Sequence, residues 1–189
     1  LELRVLRGAC ELYQSLPDTE RQGEWPFLVA LSTWQLRRRD FAIKVADLLT
    51  RYDMPGHRLV LGLEEGGLLD VLEGATAGFT VLRDNGVEFD ILEFGAGYQR
   101  LGRMAQCPIR FATIPAAVVR TLGQADSQAT LKTLVATANG LGAQVIAAGV
   151  GQSQSMDSLA RAGVDYVAGP AVARPVGVEA FAEMVRSTR

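Results

Sequence analysis

Short apolar runs alternate with longer amphipathic stretches along this chain of 189 residues. The runs are rich in Val, Ile and Leu and lack strict polar alternation, which is typical of parallel strands that are covered on both faces. Because stretches with helical spacing separate the runs, the pattern predicts a series of strand–helix units. The predicted strands are residues 27–31, 59–63, 89–92, 110–114, 144–148 and 166–168.

A helix is predicted to follow each of these strands. Gly140 and Gly163 stand where helix C-terminal glycines belong, and Pro17 is a stop signal for a further helix that precedes the first strand. The predicted helices are residues 2–16, 41–51, 68–85, 98–106, 127–140, 156–162 and 178–187.

A single helix followed by six strand–helix units predicts an α/β fold, in one domain over residues 1–189. The predicted topology is a (β/α)₈ barrel whose first elements are not in this chain. Such barrels usually need about 250 residues, so we expect the first two strands and one helix to be missing from this chain. A doubly wound open sheet is the alternative. Gly95-Ala96-Gly97 lacks the third glycine of a dinucleotide-binding turn, which gives that alternative little support.

Composition and charge exclude several classes of protein. Hydrophobic residues make up 48% and charged residues 21%, as in ordinary globular proteins. The net charge of −2 provides no positive field for nucleic acid, so no nucleic-acid partner is expected. The one basic run, Arg37-Arg38-Arg39, is followed by Asp40 and is interpreted as a solvated helix face, with an anion contact as the other interpretation.

The cysteines and the hydropathy indicate the compartment. Cys10 and Cys107 fit no metal-ligand spacing and are predicted to be buried thiols in a reducing environment. The sequence has no signal peptide and no apolar run of about 18 residues, so it predicts no membrane segment. We therefore expect a soluble, cytoplasmic domain.

The chemistry of a barrel of this kind lies at the carboxyl ends of its strands. Carboxylates, chiefly Glu65 and Glu93, occur at only two of the six predicted ends, and Lys, His and Cys occur at none. A metal-dependent phosphodiester hydrolase needs a cluster of oxygen ligands there, so both glutamates are interpreted as polar residues of turns. Glu88 and Asp90 are expected to lie beneath this rim or to point away from the axis. His57 is the only histidine, which excludes chemistry that needs two.

Five segments in order carry a resemblance to a known family. The segment from Gly86 to Tyr98 resembles a strand ending in Asp-Asp-Phe-Gly-Thr-Gly-Tyr, and residues 107–115 resemble Pro-Val-Asp-x-Leu-Lys-Ile-Asp. Residues 145–151 are similar to the signature Ala-Glu-Gly-Val-Glu, residues 163–175 to a final Gly-x-Asp, Gln-Gly and Pro unit, and residues 29–36 to Val-Asn-Leu-Ser-x-x-Gln-Leu. These motifs are those of the EAL-type cyclic-di-GMP phosphodiesterase domain. The motif that names the family belongs to its first strand, so residues 1–189 resemble the C-terminal three quarters of such a domain.

The residues that differ from the family pattern are mainly those that have chemical roles in active members. In active members, as the resemblance implies, magnesium or manganese is held by an Asn, several Glu and an Asp pair, with an assisting Lys. What survives here is largely structural, such as Phe94-Gly95, Pro108, Gly149 and Pro175. At the family's chemical positions this chain has Ala30, Gly62, Leu92-Glu93, Thr113, Pro115, Ala148, Gly151 and Ala168.

The resemblance therefore predicts a catalytically inactive EAL-like domain, not an enzyme, that acts as a regulatory module or signalling scaffold and needs no cofactor or metal. A protein partner is expected, a homodimer is allowed, and Trp34 and residues 98–104 are candidate surface features. The alternative is a metal-independent cyclic-di-GMP receptor. Its predicted ligand-binding residues are Glu93, Phe94, Arg174 and Pro175. An active phosphodiesterase is disfavoured because the family's metal ligands and Lys are replaced. An unrelated barrel enzyme is disfavoured because the sequence lacks a nucleophile–base pair.

Overall fold

A curled parallel sheet forms the centre of the molecule. The computed structural model describes residues 2–73, 77–95, 107–122, 125–151 and 156–187. Six strands lie in chain order, and each is parallel to its neighbours. They are β1 (Phe27–Ala30), β2 (Leu59–Glu64), β3 (Glu88–Leu92), β4 (Ile109–Ile114), β5 (Gln144–Ala147) and β6 (Tyr166–Val167).

Helices connect the strands. A 3₁₀ turn, Gly56–Arg58, leads into β2. The α-helices of the described residues are α1 (Glu2–Ser15), α2 (Asp18–Arg21), α3 (Thr33–Leu36), α4 (Arg39–Arg51), α5 (Glu65–Glu73), α6 (Ala77–Asp84), α7 (Ala116–Arg120), α8 (Ala125–Gly140), α9 (Met156–Ala162) and α10 (Val178–Ser187).

The predicted elements agree with this architecture. All six predicted strands are present, with ends that differ by one residue at most. The predicted helix 68–85 corresponds to α5 and α6, and the predicted helix 98–106 lies outside the described residues. The short helices α2, α3 and α7 were not predicted, because elements of four or five residues are too short to show a helical period.

The strand order excludes the doubly wound alternative. A doubly wound sheet reverses its order at a switch point, whereas here the spatial order follows the chain from β1 to β6. One face of the sheet supplies Phe89, Ile91 and Val145 to the buried core, which the helices also line. The alternate residues of the same strands, among them Asp90 and Ile146, line an open cavity on the concave face. The result is a curled half-barrel.

The two lateral edges of the half-barrel do not meet. Within the described residues β1 pairs with β2 alone and β6 with β5 alone. Outside the sheet, α1 packs against α4 and β1 and also contacts α10. The fold is thus a (β/α)₈-like barrel without its first strands, as the sequence predicts.

Two arginines fix the loop that enters β1. The side chain of Arg58 is only 1% exposed, and it donates hydrogen bonds to the carbonyl oxygens of Glu20, Arg21 and Gly23. Its guanidinium also lies 5.0 Å from the ring centroid of Trp25. Burial lowers the pKa of Arg58. The charge is compensated by these carbonyl dipoles and aromatic faces.

Arg110 extends the same arrangement from β4. It donates to the carbonyl of Glu24 at 2.7 Å, to that of His57 at 3.1 Å and to the Glu88 carboxylate at 2.9 Å. Loop residues 20–24 are therefore held by side chains from two other parts of the chain. This fixes the start of β1 at the amino-terminal end of the sheet.

Both cysteines are buried and free, as predicted. Burial raises the pKa of Cys10 to about 11 and that of Cys107 to about 12, so neither thiol forms a thiolate near neutral pH. Among the described residues no helix is long and apolar enough to cross a membrane.

Candidate functional site at the carboxyl ends of the strands

The strand register places side by side the rim positions to which the family pattern assigns chemical roles. Ala30 of β1 is level with Gly62 of β2, and Gly62 is level with Asp90 of β3. Glu64 is level with Leu92 at the end of β3. Residues that are far apart in the sequence thus form adjacent positions at one end of the sheet, where a barrel enzyme places its chemistry.

Leu92 covers Gly62 on the concave face. A Cβ atom at position 62 would lie 3.1 Å from Leu92 Cδ2 and 3.2 Å from its Cγ. At these two positions the resemblance described above implies charged metal ligands in active members of the family. An apolar contact therefore occupies the centre of the expected metal site, and a larger side chain at position 62 would require Leu92 to move.

A carboxyl lies one layer below Leu92. Asp90 is 0% exposed, and its Oδ2 accepts a hydrogen bond of 2.8 Å from the hydroxyl of Thr113. Burial raises the pKa of Asp90 to about 6, although the hydrogen bonds from Thr113 act in the opposite direction. Thr113 stands where the family pattern has Lys, and its hydroxyl is hydrogen-bonded to Asp90. Asp90 lies beneath the rim, one of the two placements that its sequence context predicts.

Glu65 has a structural contact. It is only 4% exposed, and its Oε2 accepts a hydrogen bond of 3.2 Å from the backbone N–H of Gly95. The bond joins the start of α5 to the turn that follows β3. Glu65 is therefore a polar residue that shapes a turn, in agreement with the interpretation from the sequence.

The turn after β3 separates two of the predicted ligand-binding residues. Glu93 is exposed and has a positive φ of 54°. Phe94 is 2% exposed and belongs to the hydrophobic core, and its N–H donates to the carbonyl of Thr113 at 2.9 Å. The ring of Phe94 is thus inside the protein in this structure, and only Glu93 faces solvent.

The other two predicted ligand-binding residues, Arg174 and Pro175, lie in the segment between β6 and α10 and are exposed. In the sheet β4 and β5 separate β3 from β6, so Glu93 and Arg174 belong to turns on different parts of the rim.

The last two strand ends carry small residues. Ala148 and Ala168 line the concave cavity where the family pattern has Glu and Gln. Gly149 adopts a φ of +71°, and a side chain there would overlap with the Cβ of Ala116. The glycine of this motif is therefore needed for the fold.

The residues of this rim do not fit a divalent metal. Magnesium and manganese prefer several oxygen ligands at one point, but the central positions hold the contact between Leu92 and Gly62. Within the described part of the chain, no group of three or more acidic, His or Cys residues could hold a metal. The nearest acids have other contacts, Asp90 with Thr113 and Glu65 with Gly95.

A cavity of about 600 Å³ lies on the concave face below the rim. Its wall is mostly apolar and includes Leu28, Leu92 and Ile146, with Asp90 and Thr113 as polar members. The sequence alone did not reveal the bond between Asp90 and Thr113. The available signal was an acidic residue inside the apolar run Phe89-Asp90-Ile91, but its partner depends on the pairing of β3 with β4.

The strand order and the rim at the carboxyl ends of the strands define a (β/α)₈-like barrel domain. A family model described as "EAL domain" matches residues 1–175. The chain belongs to the EAL domain family.

Curated relatives are longer than this chain. It is 27% identical over 148 residues to the cyclic di-GMP phosphodiesterase RocR of Pseudomonas aeruginosa, covering 78% of this chain and 38% of that protein. It is 26% identical over 190 residues to the uncharacterized protein Rv1354c of Mycobacterium tuberculosis, covering 100% of this chain and 30% of that protein. The chain thus spans well under half the length of these relatives.

Solved structures agree with the fold. The EAL domain of Mycobacterium smegmatis DcpA superposes with a TM-score of 0.87 at 22% identity, covering 100% of this chain and 84% of that one. The EAL domain of Xanthomonas citri FimX in complex with c-diGMP superposes with a TM-score of 0.79 at 24% identity, covering 93% of this chain and 69% of that one.

Proposed function

We propose that this chain is a catalytically inactive EAL domain that acts as a regulatory module in bacterial cyclic-di-GMP signalling. The contact between Leu92 and Gly62 carries the proposal, because it fills the centre of the metal site with hydrocarbon. Ala30 and Ala148 stand where the family pattern has further oxygen ligands on the same rim, and Ala168 stands where it has a polar Gln. With no ion to activate water and to neutralise a phosphate, the rim lacks both parts of metal-assisted hydrolysis.

Protein binding is the regulatory role that this surface favours. The rim has lost charged groups while the core beneath it has remained intact, which suits a scaffold that presents surfaces to a protein partner or to a second copy of itself. Trp34 supports this role, because its side chain is 60% exposed beside β1 and lies 5.1 Å from the guanidinium of Arg38. Exposed aromatic and arginine side chains are frequent centres of protein interfaces.

Manganese binding tests the loss of the metal site. We expect electron paramagnetic resonance of the purified protein to show no Mn²⁺ site of micromolar affinity. A tight, stoichiometric Mn²⁺ site would contradict the proposal, because it would show that the rim still assembles an oxygen-ligand cluster.

A metal-independent cyclic-di-GMP receptor is the second candidate. The observation that favours it is the exposure of Arg174 on the rim, where a guanidinium is free of burial and suits a phosphate. Calorimetric titration with cyclic di-GMP in EDTA tests this candidate. Retained affinity that falls at least about tenfold in Arg174→Glu would support a receptor, and no heat at millimolar nucleotide would leave partner binding as the function.

A further inference from the structure

Helices α1 and α4 pack against each other in the outer helical layer, and a small groove of positive charge lies between them. Three of its lining side chains are cations and one is a carboxylate, although the whole chain has a net charge of −2. We call this surface the basic groove. It is lined by Leu3, Arg7, Lys44, Asp47, Leu48 and Arg51.

The cations of the basic groove are poorly compensated. Within the described residues Arg7 and Arg51 form no ion pair. Lys44 lies 3.8 Å from a carboxylate oxygen of Asp40, and both side chains are at least half exposed, so this pair contributes little. Glu11, the other acid on this side of α1, accepts a hydrogen bond from the hydroxyl of Tyr52. The groove can therefore accept negative charge from outside the chain.

Helix α10 has the opposite charge and also lies against α1. Glu179 and Glu183 are exposed on this helix, four residues apart, and neither forms an ion pair among the described residues. Like charges at this spacing repel each other, so cations from elsewhere would stabilise them. Val178 on the same helix is 53% exposed. Two carboxylates beside apolar surface are the complement of the basic groove.

Helix α1 separates these two surfaces and has a glycine at its middle. Gly8 lies inside the helix, and a Cβ atom there would meet nothing within 4 Å. Among the described residues nothing requires glycine at this position, although glycine destabilises a helix relative to alanine. Open space above a glycine allows the backbone of another chain to approach closely. Val5, its neighbour one turn earlier, is 51% exposed.

We propose that two copies of this chain form a dimer about a two-fold axis beside Gly8, in which Glu179 and Glu183 of each copy bind the basic groove of the other. Helix α1 lies between α10 and α4, because α4 continues the helical layer toward α6 and α10 follows the strand at the opposite edge of the sheet. A two-fold axis at α1 therefore satisfies both charge contacts at once and closes the assembly at two copies.

Apolar side chains contribute to the same interface. Val5 on α1, Ile43 on α4 and Val178 on α10 are between 43% and 53% exposed. Apolar area flanked by charged groups is the usual composition of a protein interface. The dimer supplies a partner for the scaffold role and in that respect rests on the proposed function, but it lies on the helical layer and uses no residue of the rim.

Charge reversal tests the pairing, with dissociation constants measured by sedimentation of the purified protein without nucleotide or metal. The groove variant is Lys44→Glu/Arg51→Glu, and the helix variant is Glu179→Lys/Glu183→Lys. Each should weaken the dimer at least about tenfold, because like charges then face each other. Arg120→Glu/Lys132→Glu is the matched control, since it reverses two exposed charges elsewhere and should leave the dissociation constant unchanged.

A mixture of the two variants gives the sharper result. The groove variant is acidic on both surfaces and the helix variant is basic on both, so each repels itself. Together they pair opposite charges at both contacts, and they should form a heterodimer about as tight as the unaltered dimer.

Gly8→Ala tests the position of the axis. It should weaken the dimer at least about tenfold without lowering the melting temperature of the monomer, because the added methyl group meets open space in one copy and the partner in the dimer.

Three results would overturn the proposal. They are an unaltered protein that is monomeric at every concentration measured, a groove variant that dimerises as well as the control, and a mixture of the two variants that stays monomeric. Association through the open strand edges would be equally strong in all charge variants and would give the second result. None of these outcomes bears on catalytic inactivity, which Mn²⁺ binding and hydrolysis test separately.

Discussion

At the scale of single residues, an apolar contact and a buried polar pair lie in adjacent layers of the sheet. Leu92 covers Gly62 on the concave face, and Asp90 and Thr113 are bonded one layer below it. The polar pair of this part of the sheet therefore lies in the interior, with an apolar contact between it and the rim. A carboxyl at that depth is held by one hydroxyl and is unsuited to sharing an ion with its neighbours.

Introducing a glutamate at position 62 should destabilise the protein. A Cβ there already approaches Leu92 to within 3.1 Å, and the added carboxylate would be buried against hydrocarbon. We expect Gly62→Glu to cost about 2–4 kcal/mol in urea unfolding. Gly66→Glu is the matched control, because position 66 is exposed with open space around it, and it should be nearly neutral.

The coupling between the two positions can be measured directly. If Leu92 is the obstacle, the Gly62→Glu/Leu92→Ala double variant should be at least about 1 kcal/mol more stable than the sum of the two single effects predicts. Strictly additive effects would show that Leu92 does not occupy the space of the missing ligand.

Asp90 should make the stability of this 189-residue chain depend on pH. Its folded pKa of about 6 is raised above the value of 3.8 for an ordinary carboxyl. The unfolded chain therefore releases this proton first, and the contribution of Asp90 to stability falls as pH rises from 4 to 6 and stays low above 6. The loss is on the order of 2–3 kcal/mol.

Comparison of urea midpoints for the unaltered chain and Asp90→Asn between pH 4 and pH 7 checks this. The difference between the two proteins should change across that interval and level off above it. A constant difference would show that Asp90 does not titrate abnormally in the folded protein.

At the scale of elements, the entry into β1 depends on Arg58. Its guanidinium bonds three carbonyls of the loop and faces the rings of Tyr13 and Trp25. Truncation leaves the carbonyls unsatisfied and opens a cavity, so Arg58→Ala should cost about 3 kcal/mol or more. Arg120→Ala, at an exposed position, is the control and should be close to neutral. Equal stability of the two variants would rule out a structural role for Arg58.

The elements could be predicted from the sequence much better than their contacts. Apolar runs such as 59–63 and 89–92 marked the strands, because a parallel strand is covered on both faces. The burial of Arg58 was not predictable, since its acceptors lie 35 to 38 residues away. The predicted strands located the rim correctly, but the contact of Leu92 with Gly62 depends on a strand register that no local pattern contains.

At the scale of the whole molecule, an open half-barrel exposes strand edges and apolar surface. Besides Leu28 and Tyr166 at the edges, Val172, Val176 and Met184 are between 46% and 53% exposed near the carboxyl terminus. We expect the 189-residue chain to associate as its concentration rises, as followed by light scattering after size exclusion. A monodisperse monomer of this chain at all concentrations would argue against an open edge.

The most direct test of catalytic inactivity is a hydrolysis assay. Purified protein would be incubated with cyclic di-GMP and Mn²⁺ or Mg²⁺, with RocR as the active control and products separated by chromatography. Because hydrocarbon and small residues occupy the ligand positions at the rim, we expect no linear product above a protein-free control. Turnover that co-purifies with this protein, and that metal chelation abolishes, would contradict the account.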